Sequence, residues 1–566
     1  MLLFKTADAG AVQQASGFLI RSLSTTGILL GTFFLALSLT PSLLPRPAFF
    51  QGLVSGLSFA AGYGIGVGGV RFWRYLELPR LSGRPLITFQ AITGALFLTV
   101  AGISFWYSGD WQQEVRELMQ LEAEHRMRPW FTGLIALLTF LATLLLFRIF
   151  HWVYRKIKFR FQRFLPRRVS VAAGFLGAFL VFWALVDGLL LTIILRSADS
   201  AYQQVDAYMD AEFEQPSDPM RTGSSASLLN WEDMGFQGRR FLHETPDAGS
   251  IAALSGQPAL SPIRVYAGMN ASDDVQERAR LALQELIRLD AFSRKILVIV
   301  TPTGTGWVDP HSIAPLEYLH HGDVASVALQ YSYLPSFLSL MVDSEPGEEV
   351  ARALFQKIYG YWSALDPGQR PRLYLHGLSL GALNSDRSFD LFDIIHDPFH
   401  GVFWSGPPFR SQTWFSITQQ RETDSPFWKP RFREGSVVRF ANQNGGLENE
   451  AFDAEWGPFR MAFLQYASDP VVFFAPRFLF REPVWLQSPR GPDVSESLRW
   501  YPVVTMLQLM ADMAAGTAPR GYGHQYAADH YFDSWLALTG DAGRTADELD
   551  ALRAYFRSWR DISGRP

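Results

Sequence analysis

The 566-residue chain contains no cysteine. That absence excludes a disulfide scaffold, a thiol nucleophile, a thiolate zinc site and an iron–sulfur cluster. Charge is scarce as well. Only 18% of the residues are charged and 48% are hydrophobic, against about 25% charged in an ordinary soluble domain, so the chain is not wholly soluble. A basic surface is missing from its larger part. Residues 1–196 hold 19 Lys+Arg against 8 Asp+Glu and the remainder holds 31 against 46, so the overall charge of −4 is the near-cancellation of +11 and −15. The acidic second part argues against nucleic acid as a partner, because phosphates demand a basic face.

The first part is built of long apolar runs. A membrane span needs about 20 mostly apolar residues, and five candidates occur, at 27–44, 52–72, 86–107, 130–150 and 169–195. Arg21 limits the first on one side and Pro41, Pro45 and Pro47 limit it on the other; a cleaved signal peptide is its competing reading. Loop charge orients the spans, since Lys and Arg near span ends are retained in the cytoplasm. The loop 71–85 carries four Arg, and 148–168 carries eight basic residues including Arg155, Lys156, Lys158 and Arg160. Both are predicted to be cytoplasmic. The loop 108–129 sets three Arg against Asp110, Glu114, Glu117, Glu122 and Glu124, and belongs on the other side. Five spans starting inside end outside, which places the second part on the outer, periplasmic or extracellular, face of a cytoplasmic (inner) membrane.

Two features of the spans invite a function. Gly52, Gly56, Gly62, Gly64, Gly66, Gly68 and Gly69 crowd the second span; such spacing lets helix backbones approach closely in lipid, with a channel lining as the alternative. Asp187 in the fifth span is costly in lipid and a functional candidate by default, or else it bonds to a neighbouring helix or lies near water. The expected domains are therefore 1–196, a transmembrane domain, then 197–262, an acidic connecting segment, and 263–566, a catalytic domain. The connection should lie on the domain surface, because Trp231, Phe236 and Phe241 need cover.

From Ile263 onward, short β-branched runs alternate with helical stretches. Strands are predicted at 263–267, 295–300, 324–331, 372–375, 401–404 and 461–466, with helices at 273–289 and 348–365. Strands separated by 10 to 20 helical residues imply a mostly parallel sheet covered on both faces.

One strand runs into Gly377-Leu378-Ser379-Leu380-Gly381 and then a helix. This is G-x-S-x-G in the strand–turn–helix setting that makes it a nucleophile elbow. A serine hydroxyl needs a positioned base to take its proton, and the base needs an acid to orient it. In α/β-hydrolases the chain order is Ser, acid, His. Asp469 directly follows a late apolar run, whereas Asp453, Asp493 and Asp512 lack that position. His524, in the loop Gly521-Tyr522-Gly523-His524, is preferred as base over His530, which falls at a helix start. His376 is too near the serine along the chain to act on it and should pack beside the elbow. An oxyanion needs two preorganised N–H donors: Leu380, after the serine, supplies one, and the turn Thr303-Gly304-Thr305 the other. A phosphate-cradling loop is the rival reading of this turn, but it lacks the required Lys. The aromatic stretches 411–432 and 470–523 form either a cap over an apolar pocket, in its sharpest version a membrane-facing lid, or ordinary core.

These residues, in this order, resemble the membrane-embedded α/β-hydrolase family of bacteria, in which a multi-span N-terminal domain precedes a catalytic one. The resemblance runs through Gly238-Arg239-Arg240-Phe241, Pro262-Ile263-Arg264-Val265-Tyr266-Ala267-Gly268, Thr301-Pro302-Thr303-Gly304-Thr305-Gly306-Trp307 and Gln330-Tyr331-Ser332-Tyr333-Leu334-Pro335-Ser336. It continues through the elbow, Leu464-Gln465-Tyr466-Ala467-Ser468-Asp469-Pro470 and Gly523-His524-Gln525-Tyr526. It implies Ser379, Asp469 and His524 as the triad, with His376 a departure from the family's pattern. The fold expected is an α-helical transmembrane bundle followed by an α/β-hydrolase domain with aromatic cap insertions. The expected activity is a membrane-anchored, extracytoplasmic serine hydrolase acting on a lipidic or apolar ester, with the bilayer and that ester as partners and no cofactor or metal. An acyltransferase using the same triad, or a non-catalytic membrane binding or transport protein, are the alternatives.

Overall fold

A computed structural model describes residues 23–79, 81–123, 129–185, 202–210, 212–334, 345–448, 452, 454–515 and 518–560. Asp187, Pro335, Ser336 and the latter part of the fifth expected span lie outside the described residues. The chain forms two compact units: Met1–Ala184 with Pro476–Leu486 and Ser495–Thr517, and Leu185–Ala475 with Gln487–Val494 and Ala518–Pro566.

The first unit contains α1 (Thr25–Ser38), α2 (Ala48–Tyr75), α3 (Arg84–Leu118), α4 (Pro129–Phe161) and α5 (Arg167–Trp183). Among the described residues three helices, α2, α3 and α4, are long and apolar enough to cross a membrane. α1 has only 14 residues, because the Ser- and Pro-rich run after Ser38 cannot continue it. Large apolar side chains such as Leu98, Trp106, Leu145 and Leu146 are exposed, which fits helices able to cross a membrane. The glycine pattern divides by face. A Cβ on Gly62 or Gly66 would come within 2.6 Å of Leu30 O or 2.8 Å of Thr26 O on α1, and one on Gly52 or Gly56 would meet Ile135 or Ala136 of α4 at 2.6 Å. Gly64, Gly68 and Gly69 have nothing within 4 Å. Four of the seven glycines thus serve helix packing.

The sequence between Asp469 and His524 contributes to this same unit. The helix Val504–Ala515 packs on α2 and α1. Its buried Asp512 carboxylate accepts from Ser42 Oγ (2.8 Å), Leu43 N (3.0 Å) and Leu44 N (3.4 Å) in the loop after α1. Gln508 donates to Thr40 O at 3.0 Å, and Ser495 Oγ to Glu114 Oε1 at 2.6 Å. Phe478, Trp485 and Trp500 also belong here, Trp500 donating its indole N–H to Phe478 O at 2.9 Å.

The second unit is built on a seven-stranded sheet. Its strands are β1 (Ile263–Ala267), β2 (Ile296–Thr301), β3 (Val324–Leu329), β4 (Arg372–Leu378), β5 (Gly401–Ser405), β6 (Val438–Ala441) and β7 (Arg460–Leu464). Every pairing is parallel, and the order is β1-β3-β2-β4-β5-β7-β6. Continuous burial along β1 to β6 reflects helices on both faces. The edge strand β6 was not anticipated, since Arg439 interrupts a run of only four residues. That arginine is buried beside Phe452 and Trp456 and donates to the carbonyls of Gly435 and Leu447 at 2.9 Å each. Residues 231–255 cover the β1 side of the sheet: a Cβ on Gly238 would lie 2.4 Å from the Tyr266 ring, and Trp231 and Phe241 are buried. Arg264 of β1 forks onto Glu317 at 2.8 and 2.7 Å, fully buried, and caps Phe241 O at 2.7 Å.

Candidate active site

β4 lies at the centre of the sheet and delivers Ser379 at its carboxyl end, ahead of the helix Leu380–Asp386. Ser379 has φ 58° and ψ −123°, a left-handed position that costs a non-glycine residue about 1–3 kcal/mol and is held only by its surroundings. Both flanking glycines are required by space. A Cβ at Gly377 would come within 2.4 Å of Gly381 backbone atoms, and one at Gly381 within 2.2 Å of Thr301 O. The turn is pinned to the next strand by Ser379 N donating to Ser405 O at 3.0 Å.

Asp469 follows β7 and is wholly buried. Its Oδ1 accepts from Val471 N (2.8 Å) and Val472 N (3.4 Å), and its Oδ2 from His524 Nδ1 (2.7 Å) and Tyr526 Oη (2.6 Å). With Nδ1 engaged as donor, His524 is held in the tautomer whose Nε2 accepts a proton. That Nε2 is buried and has no hydrogen-bond partner among the described residues. The ring lies against the end of β5, where a Cβ at Gly406 would meet His524 Cε1 at 2.6 Å. Ser379 is bonded to Ser405, the residue before Gly406, so the serine ends β4 and the imidazole packs on the end of the adjacent β5, with no hydrogen bond between His524 Nε2 and Ser379.

The turn after β2 reaches the same place, as the contact of Gly381 with Thr301 shows. Within it Thr303 N donates to Trp307 O and Gly306 N to Thr303 O, each at 2.9 Å. The Thr303 N–H is therefore already engaged in the turn. The turn is fixed from behind by Tyr266 Oη, which donates to Gly306 O at 2.8 Å; a Cβ at Gly306 (φ 83°) would strike that oxygen at 2.5 Å.

A supporting ring of residues escaped the sequence reading. Burial and the adjacent Asp469 carboxylate push the Tyr526 phenol well above the ordinary tyrosine range, so it remains a donor. Ser468 Oγ accepts from Gly523 N at 2.9 Å and bonds Asp493 Oδ2 at 2.5 Å, tying the base-bearing loop to the acid-bearing one. Arg520 bridges Asp309 Oδ2 (2.9 Å) and Tyr526 O (3.0 Å). Burial pushes the Asp309 carboxyl up, but Arg520 and the bonds from His311 outweigh it and hold the group well below the usual carboxylate range. Ser468 and Tyr526 stand inside the strings quoted above, two residues or fewer from Asp469 and His524; that adjacency was the available signal.

His376 and His530 have structural work. His376 Nδ1 donates to Phe403 O at 2.8 Å amid Tyr531 and Trp535, and burial lowers it to about 4. His530 pairs with Tyr466 Oη at 2.6 Å and is likewise lowered to about 4 by burial. Trp414, Phe427 and Phe473 pack on one another as core of the second unit. Among the described residues no three His, Asp or Glu side chains are grouped as a metal site requires.

Residues 263–552 match the model of an alpha/beta-hydrolase family, and residues 39–246 match the model of that family's N-terminus. No curated protein and no solved structure matches the chain. The two matches take in the sheet, the elbow, Asp469 and His524 on one side and α2 to α5 on the other, and the chain belongs to this alpha/beta-hydrolase family.

Proposed function

We propose that the protein is a membrane-anchored, extracytoplasmic serine hydrolase that cleaves a lipidic or otherwise apolar ester. The observation that carries the reading is the 2.7 Å bond from His524 to the buried Asp469 carboxylate, with an unengaged Nε2, at the end of the strand beside the one that delivers Ser379 at φ 58°. Ser379 Oγ attacks the ester carbonyl carbon while its proton passes to His524 Nε2. Asp469 holds the ring and stabilises the imidazolium that forms. The oxyanion takes the Leu380 N–H and a second donor from the Thr303–Thr305 turn other than the Thr303 N–H, which Trp307 O already holds. Collapse expels the alcohol, which receives the proton from His524, and leaves Ser379 acylated. Water then attacks, giving its proton to His524, and the acid departs as Oγ recovers its hydrogen. An apolar substrate is favoured because part of the sequence joining acid to base belongs to the membrane-helix unit.

A fluorophosphonate probe on the full-length protein tests the chemistry. Wild type is expected to label, and Ser379→Ala is expected not to; equal labelling of the variant overturns the assignment. Placement is tested with single cysteines in this cysteine-free chain. Thiol reagent applied from outside should modify a cysteine at Ser217 and spare one at Arg160, and the reverse pattern overturns the orientation.

A further inference from the structure

One end of the first unit holds a cavity of about 1220 Å³ that the hydrolase chemistry leaves unused. It is formed where α1 begins, α2 ends, α3 begins and α4 ends, so the two arginine-rich connections lie at the same end of the bundle. Cations from two helices enter it: Arg71 and Arg74 from the last turns of α2, and Arg148, Arg155 and Lys156 with His151 from α4. No Asp or Glu among the described residues lines it. The rest of the wall is of two kinds. Tyr63, Val67, Leu144 and Phe147 are apolar or aromatic, and the start of α1 adds Ser24 and Thr25, with first-turn N–H groups at the positive end of the helix dipole.

Five cations gathered in one cavity whose described lining holds no carboxylate repel one another. A bound anion offsets it. The combination of cationic floor and apolar wall selects a guest with an anionic head and hydrocarbon attached, since a free phosphate would leave the apolar wall unmatched. Basic pockets between membrane helices bind phospholipid heads for this reason, and the volume accommodates a phosphoglycerol head with the first methylenes of its chains. We propose that this cavity is a binding site for the phosphodiester head of an anionic phospholipid, separate from the hydrolase centre.

The test uses the full chain in nanodiscs of phosphatidylcholine containing a minor fraction of phosphatidylglycerol, with bound lipid read by native mass spectrometry. Wild type is expected to retain phosphatidylglycerol at least tenfold over phosphatidylcholine. Removing a cation should weaken retention about fivefold each, so Arg71→Gln and Arg155→Gln should each show that loss, and the double variant more. Arg160→Gln, on the same helix but outside the cavity, should retain lipid as wild type does, and Arg71→Lys/Arg155→Lys should recover most of the retention. Equal retention of the two lipids by wild type, or undiminished retention by the double glutamine variant, overturns the proposal. Displacement of the lipid by millimolar inorganic phosphate as readily as by short-chain phosphatidylglycerol also overturns it, in favour of a free-phosphate site.

Discussion

Tyr526→Phe isolates one bond at the acid of the site. In the structure the Asp469 carboxylate accepts four bonds, and this substitution deletes the phenolic donor at 2.6 Å while leaving the ring and the His524 bond at 2.7 Å. Asp469 has no exposed surface, so water does not take the vacated position. A hydrogen bond to a charged group contributes about 1.5–3 kcal/mol, and the loss divides between folding and the step in which imidazolium forms beside the carboxylate. If half falls on that step, the barrier rises by about 1 kcal/mol and the rate drops roughly fivefold to tenfold. Asp469→Asn should do far more, about a thousandfold or beyond, because it disturbs the tautomer as well as the charge. The assay is the second-order rate of fluorophosphonate labelling on protein whose folded fraction is matched by thermal unfolding. The reasoning is refuted if Tyr526→Phe labels within twofold of wild type, or if it is as slow as Asp469→Asn.

Three further outcomes follow from the packing. Gly381→Ala sets a Cβ 2.2 Å from Thr301 O, a backbone contact that cannot relax cheaply, so labelling should be lost together with several degrees of thermal stability, whereas Gly64→Ala, with nothing within 4 Å, should be silent. Asp512→Ala strips acceptors from Ser42 Oγ, Leu43 N and Leu44 N in a buried setting and should destabilise the first unit by about 2–4 kcal/mol, read as faster proteolysis, with Asp512→Asn intermediate. His376, lowered to about 4 by burial, stays neutral in the fold while the unfolded chain takes up a proton near pH 6.5. Its contribution is therefore present above that pH and lost as pH falls toward about 4. Wild type should lose roughly 2 kcal/mol more than His376→Gln between pH 7 and pH 5, and parallel stability profiles would sink the argument.

The parallel sheet was legible because its strands are buried on both faces and read as β-branched runs of their own. Ile296–Thr301 is almost wholly β-branched, Val324–Leu329 is a run too short for a helix of its own although it holds two alanines and a leucine, and amphipathic helices flank such runs. β6 was not legible for the opposite reason: its central Arg439 is satisfied by carbonyls at Gly435 and Leu447, partners outside the strand that no local pattern announces. Three of the five expected spans correspond, among the described residues, to helices long and apolar enough to cross a membrane, but the helix ends were not legible. α1 stops at Ser38 ahead of Pro41, which a local reading can see, but the loop that follows is held by Asp512, a residue some 470 positions away that no window centred on 27–44 contains. The stretch 470–523 was ambiguous between cap and core for a related reason. Its aromatic residues are divided between the two units, Phe473 packing with Trp414 and Phe478 with Trp485, and composition is the same on either side of that division.

The catalytic candidates show where local sequence carries function and where it stops. Ser379 announces itself because the constraint on it is local: two glycines, two residues away on each side, are the ones whose Cβ atoms would strike the turn or Thr301. Asp469 and His524 are placed by chain order and then joined by a bond across 55 positions, so their assignment needs the sheet that brings β7 beside β5. The residues that position them belong to a third class. Ser468, Asp493, Arg520 and Asp309 act only in combination, Asp493 through Ser468 on Gly523, and Asp309 through Arg520 on the backbone of Tyr526. None has a distinctive spacing, because each reaches the base-bearing loop through one intermediary. A loop with glycines at 521 and 523, both at positive φ, has little stiffness of its own. The two buried carboxylate relays supply it, so the placement of His524 rests on residues outside the Asp469–His524 pair.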